Sequence, residues 1–134
     1  MSCALDVLGD KWSLLIIRDL LIRAKRTHKD FRNSDEHIAT NILGERLQWL
    51  EAQGLILRDP DPEDGRSEVF SLTQKGVDLL PILLAMTEWS GKYDARLNAS
   101  AATRAVKARL IADMTEMLDD LENGADLRQG RKIW

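Results

Sequence analysis

The sequence is poor in the residues that build disulfide frameworks and metal sites. It contains one cysteine, so no internal disulfide can form, and only two histidines, so we expect no metal site. Its apolar runs, such as residues 14–17, are far shorter than the roughly 20 residues that cross a bilayer, and no secretory signal is visible. These absences predict a cytoplasmic protein without a membrane segment.

Catalytic motifs are absent as well. The sequence has no glycine-rich phosphate loop, no serine in a nucleophile-elbow pattern and no cysteine beside a histidine. Adjacent acids such as Asp119 and Asp120 fall in a charged stretch, which is typical of a solvated helix face. We therefore expect no enzymatic activity and no cofactor.

Charge, by contrast, is abundant: 31% of the residues are charged, and the formal net charge is -3. A negative total is unusual for a nucleic-acid-binding protein. The two signs are segregated, however, because basic residues dominate positions 18–32 whereas acidic residues collect at positions 59–64 and 113–122. The sequence is therefore compatible with one basic face.

Capping residues and apolar periodicity predict a mainly helical chain. Asp10 is a suitable N-cap for a helix that is apolar on every side and should lie at the centre of the fold. Leu43, Leu47 and Leu50 form the apolar stripe of a longer amphipathic helix. Counting cap residues, the predicted helices are 2–8, 10–23, 27–31, 39–53, 73–89 and 101–123.

Two short strands, Leu55–Arg58 and Glu68–Leu72, are predicted after the amphipathic helix. The loop between them contains two prolines and an Asp-Gly pair, which favours an exposed hairpin. Pro81 lies inside the next predicted helix and should bend it. This order of elements predicts a mainly α winged helix-turn-helix with a small β-hairpin wing and extra N- and C-terminal dimerisation helices.

The amphipathic helix is the predicted recognition helix, which such folds place in the major groove of DNA. Thr40 and Gly44 are small enough for close approach, Asn41 and Gln48 can pair with adenine edges, and Arg46 can reach guanine or phosphate. The same polar face would suit an ordinary solvated helix. Within the predicted fold we interpret it as the surface that reads DNA.

Two further groups of residues are candidate backbone contacts. Bases cluster at the start of the short third helix, where free backbone amides also favour anions. The hairpin tip can reach the minor groove, although the acids beside it would equally suit a solvated loop. The predicted contacts are Lys25, Arg26, Thr27, His28 and Lys29 in the first group, and Arg66 and Ser67 in the second.

The first and last helices are the predicted dimer interface. We expect residues 1–90 to form the DNA-binding domain and residues 91–134 to form a helical dimerisation extension. The apolar stripe of the last helix could pack on its own domain, but its length and position favour contact with a second copy. The predicted interface residues are Leu5, Leu8, Val106, Leu110, Met114, Met117 and Leu121.

A small-molecule effector is left open by the sequence. Trp12, Trp49 and Trp89 could line a pocket for one, because aromatic side chains commonly line such pockets. Tryptophans at helical spacing are more often core residues, and we interpret these three as core.

Several segments, taken in order, resemble the HxlR family of bacterial winged-helix regulators, within the wider group that includes MarR-type proteins. They are ALDVLGDKW at residues 4–12, LLIIRDL at 14–20, IATNIL at 38–43, GLI at 54–56 and FSLTQKG at 70–76. The resemblance implies a homodimer that binds operator DNA and represses or activates nearby genes. Members that sense oxidants carry a cysteine several residues before the Leu-Asp pair. Cys3 lies only two residues before Leu5, so the resemblance implies no redox role for it.

These features predict a transcriptional regulator, a repressor, that binds a pseudo-palindromic double-stranded operator as a homodimer. The alternative is a winged-helix protein-interaction module without DNA binding. Its support is the equal number of basic and acidic residues between Lys11 and Lys75.

Overall fold

The structure, a computed structural model, describes every residue from Met1 to Trp134 and contains seven helices and one hairpin. Helix α2 is surrounded by the other elements, and α3 and α4 form the helix-turn-helix. No helix combines the length and the hydropathy that a membrane crossing needs. The elements are α1 (Ser2–Leu8), α2 (Lys11–Ile22), α3 (His28–Arg32), α4 (Thr40–Ala52), β1 (Ile56–Pro60), β2 (Glu68–Leu72), α5 (Gln74–Val77), α6 (Leu80–Tyr93) and α7 (Ala101–Glu122).

The predicted caps begin the helices as expected. The Asp10 carboxylate accepts hydrogen bonds from the backbone amides of Trp12 and Ser13, both at 2.9 Å, at the start of α2. Thr27 and Asp30 form a reciprocal capping box at the start of α3. Gly54 follows α4 with a φ of 72°, the left-handed conformation that ends helices.

The wing is a two-stranded antiparallel hairpin. Ile56 lies opposite Leu72 and Pro60 lies opposite Glu68, so β1 begins one residue later than predicted and continues two residues further. The buried side chains of β2, including Phe70, fasten the hairpin to the core. Its tip is left exposed beyond Pro60.

The prediction of one bent helix around Pro81 is wrong, because the chain forms two separate helices there. Thr73 caps the short α5, and α6 begins after Leu79. Pro81 lies in the first turn of α6, where its missing amide hydrogen would have had no helical partner. Proline therefore begins a helix instead of bending one.

A single apolar core crosses the predicted boundary at residue 90. It contains buried side chains of α2, α4, the hairpin and α6, and continues into Met114 and Met117 of α7 and Leu127 beyond it. The packing therefore shows no break between the winged part and the last helix.

The C-terminal tail, residues 125–134, lies across the winged part and was not predicted as an ordered segment. The Leu72 amide of β2 donates to the Arg128 carbonyl at 2.9 Å. The amides of Arg131 and Ile133 donate to the carbonyls of Leu21 and Ile22, at 2.7 and 2.9 Å. These bonds satisfy carbonyls at the end of α2 that have no helical partner.

Gly130 and Gly124 provide a matched test of how the tail docks. Both have positive φ, 70° and 91°, so alanine strains both backbones by about 1–2 kcal/mol. Only at Gly130 would a Cβ overlap the carbonyl oxygen of Leu20, whereas Gly124 faces open space. We expect Gly130→Ala to lower the free energy of unfolding by about 1–3 kcal/mol more than Gly124→Ala. Urea denaturation measures both, and equal losses would show that the tail is not held against α2.

Candidate nucleic-acid interface

Helix α4 presents a polar surface to solvent, which we call the recognition face: Thr40, Asn41, Gly44, Glu45 and Gln48. The Gly44 backbone is half-buried, and the other four residues are exposed. The opposite side of the helix is fully buried through its leucine stripe, and this anchors the helix to the core. The structure thus brings together four of the five residues predicted to read DNA.

Arg46, the fifth residue, is not on the recognition face. It follows Leu43 by one helical turn and therefore lies beside the buried stripe. Its guanidinium is 3.5 Å from the Asp10 carboxylate and 5.9 Å from the Trp49 ring. In the structure this side chain joins α4 to the start of α2, and its contact with guanine or phosphate stays a prediction.

Three unpaired bases surround α3, and we call them the α3 cluster: Arg26, Lys29 and Arg32. Lys29 and Arg32 are exposed and Arg26 is half-buried, and the charged group of none of the three forms an ion pair. Most other arginines of the chain are paired with acids. Arg32 is not among the contacts predicted from the sequence, although it lies in the basic stretch at positions 18–32. These cations are available to an external anion.

Lys25 is paired inside the fold, so its predicted phosphate contact is corrected. Its ammonium donates to the Ser34 hydroxyl at 2.7 Å and lies 3.2 Å from the Asp19 carboxylate. Thr27 uses its hydroxyl to cap α3. His28 packs edge-on against Phe70, with ring centroids 5.2 Å apart, and its Nε2 lies 3.5 Å from Glu68. These contacts position α3 and the wing, and the His28 side chain remains 42% exposed.

A buried carboxylate lies behind the helix-turn-helix. Asp19 is 3% exposed and accepts hydrogen bonds from Arg18, Lys25 and Ser34. Arg18 also donates to Glu36 at 2.6 Å. We call these five residues the Asp19 network. It joins α2 to the turn between α3 and α4, and the Arg-Asp pair inside an apolar helix was the only sequence signal for it.

The wing tip exposes Arg66. The backbone amide of Arg66 and the hydroxyl of Ser67 both donate to the Asp64 carboxylate, at 3.1 Å. These local hydrogen bonds stabilise the turn at the tip. The Arg66 side chain has no ion-pair partner, although Asp61 and Glu63 lie nearby in the chain. Arg66 is therefore free to reach an anion, whereas the Ser67 hydroxyl is already engaged.

The structure divides the predicted dimer residues. Met114 and Met117 are buried in the chain's own core, at 1% and 0% exposure, so a second copy cannot reach them and that prediction is corrected. Leu8, Leu110 and Leu121 are half-buried against the same core, and only Leu5 and Val106 are well exposed.

Helix α6 instead carries an exposed apolar strip, which we call the α6 strip: Ile82, Met86, Trp89 and Tyr93. These residues recur at spacings of four and three, so they share one side of the helix. Trp89 is 67% exposed, and its predicted core position is wrong. Trp12 and Trp49 do pack against the core.

Comparison with known proteins identifies clear relatives. The model of the HxlR-like helix-turn-helix family matches residues 7–98. The HTH-type transcriptional regulator YvaP of Bacillus subtilis is 33% identical over 90 residues, 67% of this chain and 82% of YvaP. YdeP of the same organism is 30% identical over 110 residues, 82% of this chain and 85% of YdeP. The structure of the redox regulator HypR in its reduced form matches with a TM-score of 0.62 and 28% identity, over 74% of this chain and 97% of HypR.

Glu36 allows the Asp19 network to be tested by pH. Hydrogen bonding from Arg18 lowers the pKa of Glu36 from 4.5 to about 2. A carboxylate with a depressed pKa stabilises the fold above its unfolded pKa, and this contribution is lost as the pH falls from about 5 to about 2. We expect Glu36→Gln to be less stable than wild type at neutral pH, and the difference to shrink over that range.

Thermal unfolding at several pH values measures this difference. Asp35→Asn is the control, because that neighbouring carboxylate is 82% exposed and makes only one ion pair, with Arg23. A difference between Glu36→Gln and wild type that stays constant with pH would contradict the assignment.

Proposed function

The chain belongs to the HxlR-like helix-turn-helix family of transcriptional regulators, and on this basis we propose that it represses transcription by binding a pseudo-palindromic operator as a homodimer. The observation that carries the proposal is the recognition face, a solvent-exposed polar surface on a helix anchored by three buried leucines. A dimer bound across a promoter excludes other proteins from the same groove, which supports repression.

The recognition face suits base reading. Asn41 and Gln48 are exposed amides that can form paired hydrogen bonds with adenine in the major groove. Gly44 lies between them, and a side chain placed there would meet nothing of the protein within 4 Å. The absence of a side chain at this point allows the helix to approach the base edges closely.

The α3 cluster and Arg66 suit backbone contact. Phosphate contacts fix the position of a protein on the duplex without reading its sequence. Lys29 and Arg32 lie on the helix that precedes α4, Arg26 lies just before that helix, and Arg66 lies at the wing tip, so contacts would flank the recognition face. These bases therefore offset the negative net charge beside the recognition face, because they are not ion-paired, whereas most of the other arginines are neutralised by ion pairs.

The α6 strip, together with Leu5 of α1, is our proposed dimer surface. The four side chains of the strip are 41–69% exposed, which is costly in water and is relieved by burial against a second copy. Trp89 and Tyr93 lie with ring centroids 5.5 Å apart, and large aromatics often anchor interfaces.

We expect Lys29→Ala and Asn41→Ala to weaken DNA binding in different ways. Removing the Lys29 cation should lower affinity for every duplex and reduce the slope of log affinity against log salt by about 0.9. Removing the Asn41 amide should cost roughly 1–3 kcal/mol on a selected duplex and little on random DNA. Fluorescence anisotropy at several salt concentrations separates the two effects.

Lys92→Ala is the matched control, because Lys92 is another exposed lysine without an ion pair and lies on α6. It should leave binding unchanged. Equal losses on selected and random duplexes for Asn41→Ala would contradict the role of the recognition face. Wild-type protein without affinity for any duplex would favour the protein-interaction module.

Trp89→Asp tests the dimer surface. Placing a carboxylate in an apolar interface should shift the protein towards monomer, because the charge must be buried without a partner. Ala112→Asp adds the same single negative charge at an exposed position of α7, away from the α6 strip, and should remain dimeric. Sedimentation velocity measures both. If Trp89→Asp associates as tightly as wild type, the two-fold axis lies elsewhere.

A further inference from the structure

The side chain of Arg58 is fixed against the wing at the point where the hairpin leaves the core. Arg58 lies on β1 directly opposite Phe70 of β2, and its guanidinium carbon lies 5.4 Å from the centre of the Phe70 ring. Its Nη1 donates to both carboxylate oxygens of Glu68, also on β2, at 3.3 and 3.1 Å. A planar guanidinium can pair with a carboxylate and lie over an aromatic ring at the same time, so β2 holds this cation in place.

Another nitrogen of the same guanidinium faces the end of α4. The Nε of Arg58 lies 3.5 Å from the carboxylate of Glu51, which belongs to the last turn of α4. This Nε is buried and has no hydrogen-bond partner, so the attraction between opposite charges is its main compensation. Glu51 gains from the contact as well, because the helix dipole disfavours a carboxylate near a C-terminal end. No other ion pair of the structure joins α4 to the hairpin.

The wing tip, residues 61–67, has no support of its own. Its hydrogen bonds are all local, such as those of Asp61 with Ser67 and Glu63 and those of Asp64 with Arg66 and Ser67. The position of Arg66 relative to α4 is therefore set lower in the hairpin, where Phe70 is buried and Arg58 provides the charged link. A small rotation there displaces the tip by a larger distance, because the tip is the far end of the hairpin.

The Arg58–Glu51 pair is too exposed to contribute much to folding. The two side chains are 26% and 43% exposed, and ion pairs of this kind add little to the free energy of unfolding. A small free energy is nevertheless enough to favour one wing orientation over others of similar energy. The pair is therefore better suited to orient the wing than to stabilise the fold.

We propose that Arg58 is a positioning residue. By pairing with Glu51 it holds the wing in one orientation relative to α4, so that Arg66 and the recognition face contact one DNA site together. The orientation half of the proposal stands on the contacts of Arg58. The DNA half rests on the proposed function.

Glu51→Gln tests the orientation in the absence of DNA. It removes the charge on α4 at an exposed position and leaves the contacts of Arg58 with β2 in place. Nitroxide labels on Gly65→Cys and Gln48→Cys, in a Cys3→Ser background, report the distance between the wing tip and the recognition face by pulsed electron paramagnetic resonance. Gly65 has space for a side chain, and Gln48 is exposed. Dilution with unlabelled chains restricts the signal to distances within one chain.

We expect one narrow distance distribution without the Glu51 substitution and a broader one with it. Asp59→Asn is the matched control, because Asp59 is an exposed carboxylate without an ion pair and follows Arg58 on β1. It should leave the distribution narrow. An unchanged distribution in Glu51→Gln would overturn the orientation half, and so would equal broadening by Asp59→Asn.

A double-mutant cycle on DNA affinity tests the second half. Arg66→Ala should lower the affinity of wild type for a selected duplex by about tenfold, because a charged contact with DNA is lost. In the Glu51→Gln background the same substitution should cost about threefold or less, because the wing no longer holds Arg66 at the duplex. The loss of the Glu51 charge cancels in this comparison. In the Asp59→Asn background the full loss should remain.

Equal losses from Arg66→Ala in the wild-type and Glu51→Gln backgrounds would overturn the DNA half, as would the absence of any loss in wild type. If wild type binds no duplex at all, the proposed function is wrong. The distance distributions would then still decide whether Arg58 orients the wing.

Discussion

Asp19 lies in the most deeply buried helix of the protein, where a carboxylate without partners would be strongly disfavoured. It is tolerated because Arg18, Lys25 and Ser34 all donate to it. Two of these partners lie outside α2, so the charge is satisfied only when the chain around α3 has its native path. The requirement to pair one buried charge therefore fixes how the helix-turn-helix is attached to the centre of the fold, and the exposed face of α4 depends on that attachment.

The ion pairs of the structure distinguish cations that stabilise the fold from cations that are free to bind an anion. Those that stabilise the fold, such as Lys25 and Arg46, are held by acids behind or beside the helices. Several of those without acidic partners, such as Lys29 and Arg66, lie on α3 and the wing tip. A net charge of -3 is thus compatible with DNA binding, because cations without acidic partners, namely Arg26, Lys29, Arg32 and Arg66, remain beside the recognition helix and at the wing tip.

Local signals predicted much of the fold. Asp10, Thr27 and Thr73 cap helices where their side chains could reach free amides. The leucine spacing predicted which side of α4 is buried and which side is exposed. Partners distant in sequence were not predictable, because spacing shows which face is buried but not what covers it. For this reason Met114 and Met117 were assigned to a partner chain instead of the core. Lys25 was assigned to phosphate for the same reason, since its acceptors lie six and nine residues away.

In the proposed two-fold dimer, α4 of each copy reads the DNA sequence. Selection of bound duplexes from a random-sequence library tests it most directly, because the selection itself finds the operator sequence. We expect wild-type protein to enrich an inverted repeat whose half-sites are centred about 10 base pairs apart, or a multiple of that distance, on one face of the DNA. Recovery of duplexes without any shared sequence would contradict the claim.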